Sequence, residues 1–518
     1  MHNGCAMPTP VTPQRAAALY DTATTRRIEQ AAAAALPAHT LMQRAGLAVA
    51  RLALAISPHA RSVWVACGPG NNGGDGLEAA VHLHAWGLNP VVTWLGEPAS
   101  APPDAHAAWQ RARDAGVRFA DAPPAGLGAQ DLCIDALLGI GATRPPEGRL
   151  ADVLARLHAT PAPLLAVDVP SGLNADTGWL HTLNTTENIA ARACPSSAGG
   201  LFDAETEPAP RHTLSLLTLK PGLFTAHGRD ACGTVWFDDL SVAPTEAPTA
   251  WLSGAPATHS RTHASHKGSY GDVAVIGGES DAARGNAMTG AALLAASAAL
   301  HGGAGRVYVG LLGDGGPLLD LAQPELMFRR PDALPLAERT VVCGCGGGAA
   351  VQAVLPAVLA QAPRLVLDAD ALNAVAADPA LQAALCARAE RGQTTVLTPH
   401  PLEAARLLAT DTATVQRDRL RAATQLAGRF ACCVVLKGSG SVIAAPGEAP
   451  RINPTGNARL ATAGTGDVLA GLIGARLASG EGALDAAVAA TYRHGALADA
   501  WPARHALTAG ALARQLAP

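Results

Sequence analysis

Two short stretches hold the residue types best suited to chemistry. Residues 67–76 read CGPGNNGGDG, directly after the apolar run Val63-Trp64-Val65-Ala66, and residues 463–467 read AGTGD, directly before an apolar run that begins at Val468. Glycines let a backbone approach a phosphate closely, and the free amides at a helix start hold its negative charge. In AGTGD the Asp467 carboxylate stands where it can take a proton from an incoming hydroxyl while those amides hold phosphate; the plainer reading of Asp467 is a helix cap. In the first stretch Gly68-x-Gly70-x-x-Gly73 formally matches the dinucleotide fingerprint, which wants an acidic residue roughly 20 positions on. Glu97 lies 24 residues beyond Gly73 but in a Gly-Glu-Pro turn. The fingerprint also leaves Asn71, Asn72 and Asp75 without a purpose.

Each stretch has companions. Asp135 in DALLGIG and both Asp168 and Ser171 in DVPSG follow apolar runs of their own. Amide oxygens, carboxylates and a hydroxyl can surround a hard cation, monovalent or magnesium; alternatively, Asn72 and Asp75 cap a helix that starts near Leu77. On the other side, Lys437-Gly438-Ser439-Gly440-Ser441 ends an apolar run, as do VLDADALN (366–373) and TPHPLE (398–403), and NPTGN (453–457) adds amide and hydroxyl donors. Lys437, standing before a glycine turn, suits a nucleotide phosphate or is a solvated cation. His400 is a site residue or a turn histidine.

Short apolar strands alternating with helices must position these groups, which argues for parallel sheets covered on both faces. The pattern predicts helices over 16–35, 41–56, 77–86, 105–115 and 150–158, with strands over 63–66, 91–95, 132–137 and 164–167. It restarts at 271–278, where GDVAVIGG opens a second block. Residues 179–210 carry no clear pattern, and 241–257, rich in Pro, Ala, Ser and Thr, read as a linker. The expected fold is therefore α/β, two three-layer αβα domains at 1–240 and 258–518. A length of 518 residues suits several cores. Alanine-rich apolar content (49% hydrophobic, 3% aromatic) and no long apolar run predict no transmembrane helix, and the first residues lack a signal-peptide pattern. A net charge of −4 gives no electrostatic case for nucleic acid. Ten scattered cysteines without a CxxC spacing argue against a zinc site and for a reduced, cytoplasmic setting.

The first block resembles the NAD(P)H-hydrate epimerases, with a Rossmann-like fold. The resemblance is carried by LMQRAG (41–46), GPGNNGGDG, DALLGIG, DVPSGLNADTG and LKPGL (219–223), in that order. It implies a potassium site at Asn72, Asp135 and Ser171. It also implies substrate contacts from Asn71, Asn72, Gly73, Gly74 and Asp75. A second loop would add Gly139, Ile140, Gly141, Ala142, Thr143, Arg144 and Pro145, with Asp168 as the candidate acid/base. The second block resembles the ADP/ATP-dependent NAD(P)H-hydrate dehydratases, with a ribokinase-like fold. Here the match runs from HKGSYG (266–271) through GAALLAASAAL, VLDADALN, TPHPLE, KGSGS and NPTGN to AGTGD. It implies nucleotide contacts at Lys437, Gly438, Ser439, Gly440, Ser441 and Gly466, hydrate contacts at Gly346, His400 and Asp467, Asp467 as base, ADP as co-substrate and Mg2+ as cofactor. CGCGGG (343–348) departs from the more usual GPGLG-like form. The pair implies epimerisation of the R and S hydrates of NADH or NADPH and dehydration of the S form, in a homo-oligomer with small-molecule partners. Two other readings stay open on the residues alone: a vitamin-precursor or sugar kinase, and a first block that only binds.

Overall fold

The computed structural model describes residues 7–142, 144–180, 209–257, 262–313 and 319–517. The chain divides into two compact units, 1–12 with 17–250, and 13–16 with 251–518.

In the first unit an eight-stranded sheet runs in the order Thr9–Pro10, Thr234–Asp238, Arg211–Leu216, Leu164–Val167, Leu132–Ala136, Val63–Cys67, Pro90–Trp94, Arg118–Phe119. Every neighbouring pair is parallel except the first, where Thr9 pairs with Phe237 antiparallel. Side chains alternate across a strand, and the consequence is visible in Val63–Cys67, which is buried throughout. Val63, Val65 and Cys67 enter a core with the helices Thr40–Ile56, Asn71–Ala85 and Pro103–Asp114, while Trp64 and Ala66 enter a second core with Gly148–Ala159. A continuous apolar run is what a strand covered on both faces requires.

The second unit repeats the principle. Its strands run Met327–Phe328, Arg306–Gly313, Asp272–Asp281, Thr340–Cys343, Arg364–Leu367, Thr394–Leu397, Cys433–Leu436, Val442–Ala444, Arg451–Ile452. They are parallel as far as Cys433–Leu436 and antiparallel in the closing pairs. Val273, Val275, Val342, Val366 and Val435 point to one core, with Thr289–His301, Thr465–Ala478 and Ala483–Asp499. Ala274, Ile276, Val341, Leu365 and Leu436 point to the other, with Val351–Gln361, Pro401–Leu408 and Arg419–Phe430. Both units are thus three-layer αβα, the class expected from the alternation.

The structure differs from the expected elements in informative places. The helix expected from Leu77 begins at Asn71, with Gly70 as its N-cap. NNGGDG therefore opens a helix over more than one turn and is not a loop, so Asp75 lies inside the helix and does not cap it. Glycine was misleading because its purpose here is close approach: a Cβ on Gly73 would lie 2.0 Å from the Gly68 carbonyl oxygen, and one on Gly74 2.5 Å from the Met42 methyl. The segment 241–257 contains a strand, Ala250–Leu252, whose Trp251 and Leu252 pair parallel with Arg451 and Ile452. Its two buried positions, Ala250 and Leu252, flank an exposed Trp251, a period too short to detect. Of the unpatterned stretch 179–210, residues 181–208 lie outside the described residues, as does Thr143.

Candidate active sites

The first unit has a cavity of about 570 Å³ at the carboxyl ends of its central strands, where open α/β sheets bind ligands. Asn71, Asn72, Asp75, Gly139, Ile140, Gly141, Ala142 and Asp168 line it. Gly73 and Gly74 are buried in packing, and Arg144 and Pro145 are exposed; none of these four lines the cavity.

Asp168 follows Leu164–Val167 with φ of 68°, a left-handed conformation costly for a residue with a side chain. It is held there by Leu216 N, which donates to Oδ1 at 3.2 Å, and by the ammonium of Lys220, which donates to the same oxygen. Lys220 is 1% exposed and also donates to the Leu216 carbonyl at 2.7 Å. Lys220 carries no expected role in the sequence reading, where LKPGL served only as part of the resemblance. Burial, reinforced by the charges of Asp168 and Glu29, pushes Asp75 well above the usual carboxylate range, and burial followed by Asp168 also raises Glu29. One cavity therefore holds an ion-paired carboxylate and two whose carboxyls are raised above their ordinary range, an arrangement suited to separating acid from base.

Asp135 and Ser171 are in direct contact. Ser171 Oγ donates to Asp135 Oδ1 at 2.6 Å, Ser171 N to Oδ2 at 2.9 Å, and Leu138 N donates to Ser171 Oγ at 2.9 Å. Asn72 lies against Gly139, its Oδ1 3.0 Å from a Cβ built there, and its buried Nδ2 has no hydrogen-bond partner among the described residues. Burial raises the Asp135 carboxyl, against hydrogen bonds from Ser171 and Leu137 that lower it. A buried carboxylate held chiefly by hydrogen bonds, a hydroxyl and an amide whose two ends are interchangeable by rotation fit an oxygen-ligated monovalent cation.

In the second unit five adjacent parallel strands end together. Gly344 N donates to the Ile276 carbonyl, Asp368 N to Cys343, Thr398 N to Leu367 and Lys437 N to Pro399. Lys437 Nζ donates to Asp368 Oδ1 at 2.6 Å, and Thr398 Oγ1 donates to the same oxygen at 2.8 Å. Burial opposes the charge on Lys437, but Asp368 and Glu403 outweigh it and raise the ammonium above its ordinary value. Gly466 lies over this pair, a Cβ there being 3.3 Å from Lys437 Nζ. Asp368, which sequence reasoning quoted within VLDADALN without giving it a role, is thus the hub of the site.

Asp467 sits in the first turn of Thr465–Ala478, behind Gly464, whose φ of 89° is the left-handed turn that aims the helix start. His494 Nε2 bonds the Thr465 carbonyl at 2.9 Å and braces this turn; burial holds the imidazole neutral, down to about 4. Burial, followed by the charge of Asp368, pushes Asp467 up to about 7. Ligand-type atoms of Cys345, Asp368 and Asp467 lie within 4.8 Å of one another. A thiol and a carboxylate already paired to lysine do not make an all-protein magnesium cage; Mg2+ is commonly held through water and substrate phosphates.

The remaining expected residues divide. His400 caps Pro401–Leu408, its Nδ1 accepting from Leu402 N and Glu403 N, with Glu403 Oε1 3.2 Å from Nε2. The contacts show the turn role; the charge of Lys437 adds to burial in lowering His400, so the ring stands near that lysine. Gly346 O accepts from Glu279 N at 2.7 Å. In KGSGS, Ser441 Oγ donates to the Gly438 carbonyl, and buried Arg419 donates to the carbonyls of Leu436 and Lys437, pinning the turn. Ser439 and Gly440 form its tip. The NPTGN side chains are not free donors: Asn453 Nδ2 bonds Thr455 O and Thr491 O, Thr455 Oγ1 bonds Tyr492 O, and Asn457 Nδ2 bonds Ala498 O. They tie the turn to Ala483–Asp499 instead.

Residues 38–222 match the family described as YjeF-related protein N-terminus, and residues 273–517 the family described as NAD(P)H-hydrate dehydratase. The chain is 36% identical over 503 residues to the bifunctional NAD(P)H-hydrate repair enzyme Nnr of Escherichia coli K12, covering 93% of this chain and 88% of that one. It is 41% identical to the ADP-dependent (S)-NAD(P)H-hydrate dehydratase of Neisseria meningitidis, over 50% of this chain and 86% of that one. Among solved structures, the ADP/ATP-dependent NAD(P)H-hydrate dehydratase of Bacillus subtilis, co-crystallised with ATP and Mg2+, is 34% identical with a TM-score of 0.43, over 49% and 91% of the two chains. With identity extending through both units, the chain belongs to the bifunctional NAD(P)H-hydrate repair enzymes.

Proposed function

We propose that the chain repairs hydrated NADH and NADPH. Its first unit interconverts the R and S hydrates, and its second dehydrates the S hydrate at the expense of ADP, releasing AMP and phosphate. The observation that carries this reading is Asp467, a carboxylate raised to about 7 at a helix start beside the Lys437–Asp368 pair.

Hydroxide is a poor leaving group, so the 6-hydroxyl is first phosphorylated. Asp467 takes its proton as the oxygen attacks the terminal phosphorus of ADP and AMP departs. Amides at the start of Thr465–Ala478 and the KGSGS turn stabilise the charge that develops in transfer. The ring nitrogen lone pair then expels phosphate, and loss of a C5 proton restores the dihydronicotinamide. Mg2+ would enter with the nucleotide and would supply further charge neutralisation at its phosphates.

In the first unit Asp168, oriented by Lys220, is the proton-transfer group, and Asn71, Asn72 and Asp75 contact the substrate with the loop beginning at Gly139. Potassium would be held by Asn72, Asp135 and Ser171, neutralising Asp135. The deciding experiment is turnover of enzymatically prepared NADH hydrate with ADP, ATP or neither, following both epimers by chromatography. Consumption of both epimers with ADP supports the proposal; no nucleotide-dependent loss of either sinks it.

A further inference from the structure

The cluster around Asp467 contains a thiol that phosphoryl transfer does not use. Cys345 follows the strand Thr340–Cys343 and is completely buried. Its Sγ donates toward Asp368 Oδ2 at 3.9 Å, and Asp467 is the second carboxylate within reach. One S–H therefore faces two acceptors, and the two are not equivalent. Asp368 is already served by Lys437 and Thr398. For Asp467, Cys345 Sγ lies within 4.8 Å and is the side-chain donor that lowers its carboxyl, and the charged groups around it are Asp368, Lys437 and Asp370. An ionised Asp467 is then the needier acceptor.

We propose that Cys345 is a positioning residue for the dehydration, donating its S–H to the ionised Asp467 carboxylate and so helping that base to carry its charge beside Asp368. The inference rests on the reading of Asp467 as the base. Burial, reinforced by Asp467 and Asp368, holds the thiol well above its ordinary pKa. It therefore stays a donor at neutral pH and does not act as a nucleophile.

The test is the pH dependence of ADP-driven NADH-hydrate dehydration by the full-length protein, comparing the parent with Cys345→Ala and Cys345→Ser. Removing the donor disfavours ionised Asp467, so in C345A the acid limb should move up by about half to one pH unit, with the high-pH plateau within a few-fold of the parent. C345S, which restores a donor, should return the limb to the parent position or below it. A residue that only fills space would change the plateau and leave the limb in place. An unmoved limb in C345A, or a limb raised equally in C345S, overturns the proposal. If C345A does not fold by circular dichroism, Cys345→Val, which also removes the donor but keeps more of the volume, takes its place, with the same upward limb expected and an unmoved limb refuting. Asp467→Asn, run alongside, keeps the two readings apart: a parent-like plateau in D467N overturns the base assignment itself, whatever C345A does.

Discussion

Replacement of Asp467 by Asn separates the chemistry of the second unit from its fold. The carboxylate lies at about 7 in the folded protein against an ordinary 3.8, chiefly through burial. A base must be ionised to act, so at pH 6 only about a tenth of the parent molecules are competent. The dehydration rate should fall about tenfold for each pH unit below 7. D467N should lose at least about 100-fold at pH 8 and retain no acid limb centred near 7. Stability should move the other way. A carboxyl raised on folding binds its proton more tightly when folded, so its contribution is fully present below pH 3.8 and is lost as pH rises through about 7. The asparagine variant escapes that loss, at most about 4 kcal/mol from the separation of the two values, and should melt higher than the parent at pH 8 but not at pH 4. The assay is the return of dihydronicotinamide absorbance with ADP, paired with thermal denaturation at both pH values. A variant within a few-fold of the parent rate would refute the assignment, and a parent-like pH limb in D467N would place the titrating group elsewhere.

Lys220→Met removes the ammonium that orients Asp168 and should slow epimerisation by about 10- to 100-fold, leaving ADP-driven dehydration of the S hydrate intact; epimer exchange followed by chromatography reads both. Asp135→Ala leaves Ser171 N and Leu137 N without their acceptor and Ser171 Oγ with the Leu138 carbonyl at 3.4 Å, at about 1–3 kcal/mol for each donor left unpaired. It should impair epimerisation and abolish any response to potassium against tetramethylammonium, and a normally epimerising D135A would return Asn72 and Ser171 to a structural role. Gly73→Ala sets a Cβ 2.0 Å from a backbone oxygen that cannot give way, and overpacking of that kind typically costs about 1–3 kcal/mol. The thermal midpoint of the first unit should fall. A fragment beginning at Ala250, which keeps the strand beside Arg451–Ile452, should dehydrate the S hydrate alone, and a folded fragment without that turnover would reject two independent sites.

How much of this was legible in the sequence follows from the range of the forces involved. Strand runs such as 63–66 and 164–167 are local and apolar, and they fall within the observed strands because a strand buried on both faces needs no distant information. The α/β class follows from their alternation with helices. The start of Asn71–Ala85 was not legible, because glycines chosen for contact with Gly68 and Met42 look, in one dimension, like glycines chosen for a turn. The same holds for NPTGN, whose donors are spent on carbonyls about 40 residues away. Spacing could offer Asp467, Asp168, Asp135 and Ser171 as candidates. Only tertiary structure could give Asp168 its partner Lys220 and join Lys437 to Asp368 across 69 residues. It alone could bring Cys345 beside Asp467. A sequence names ionisable groups, but their protonation is set by burial and by neighbours through space, and those exist only once the chain has folded.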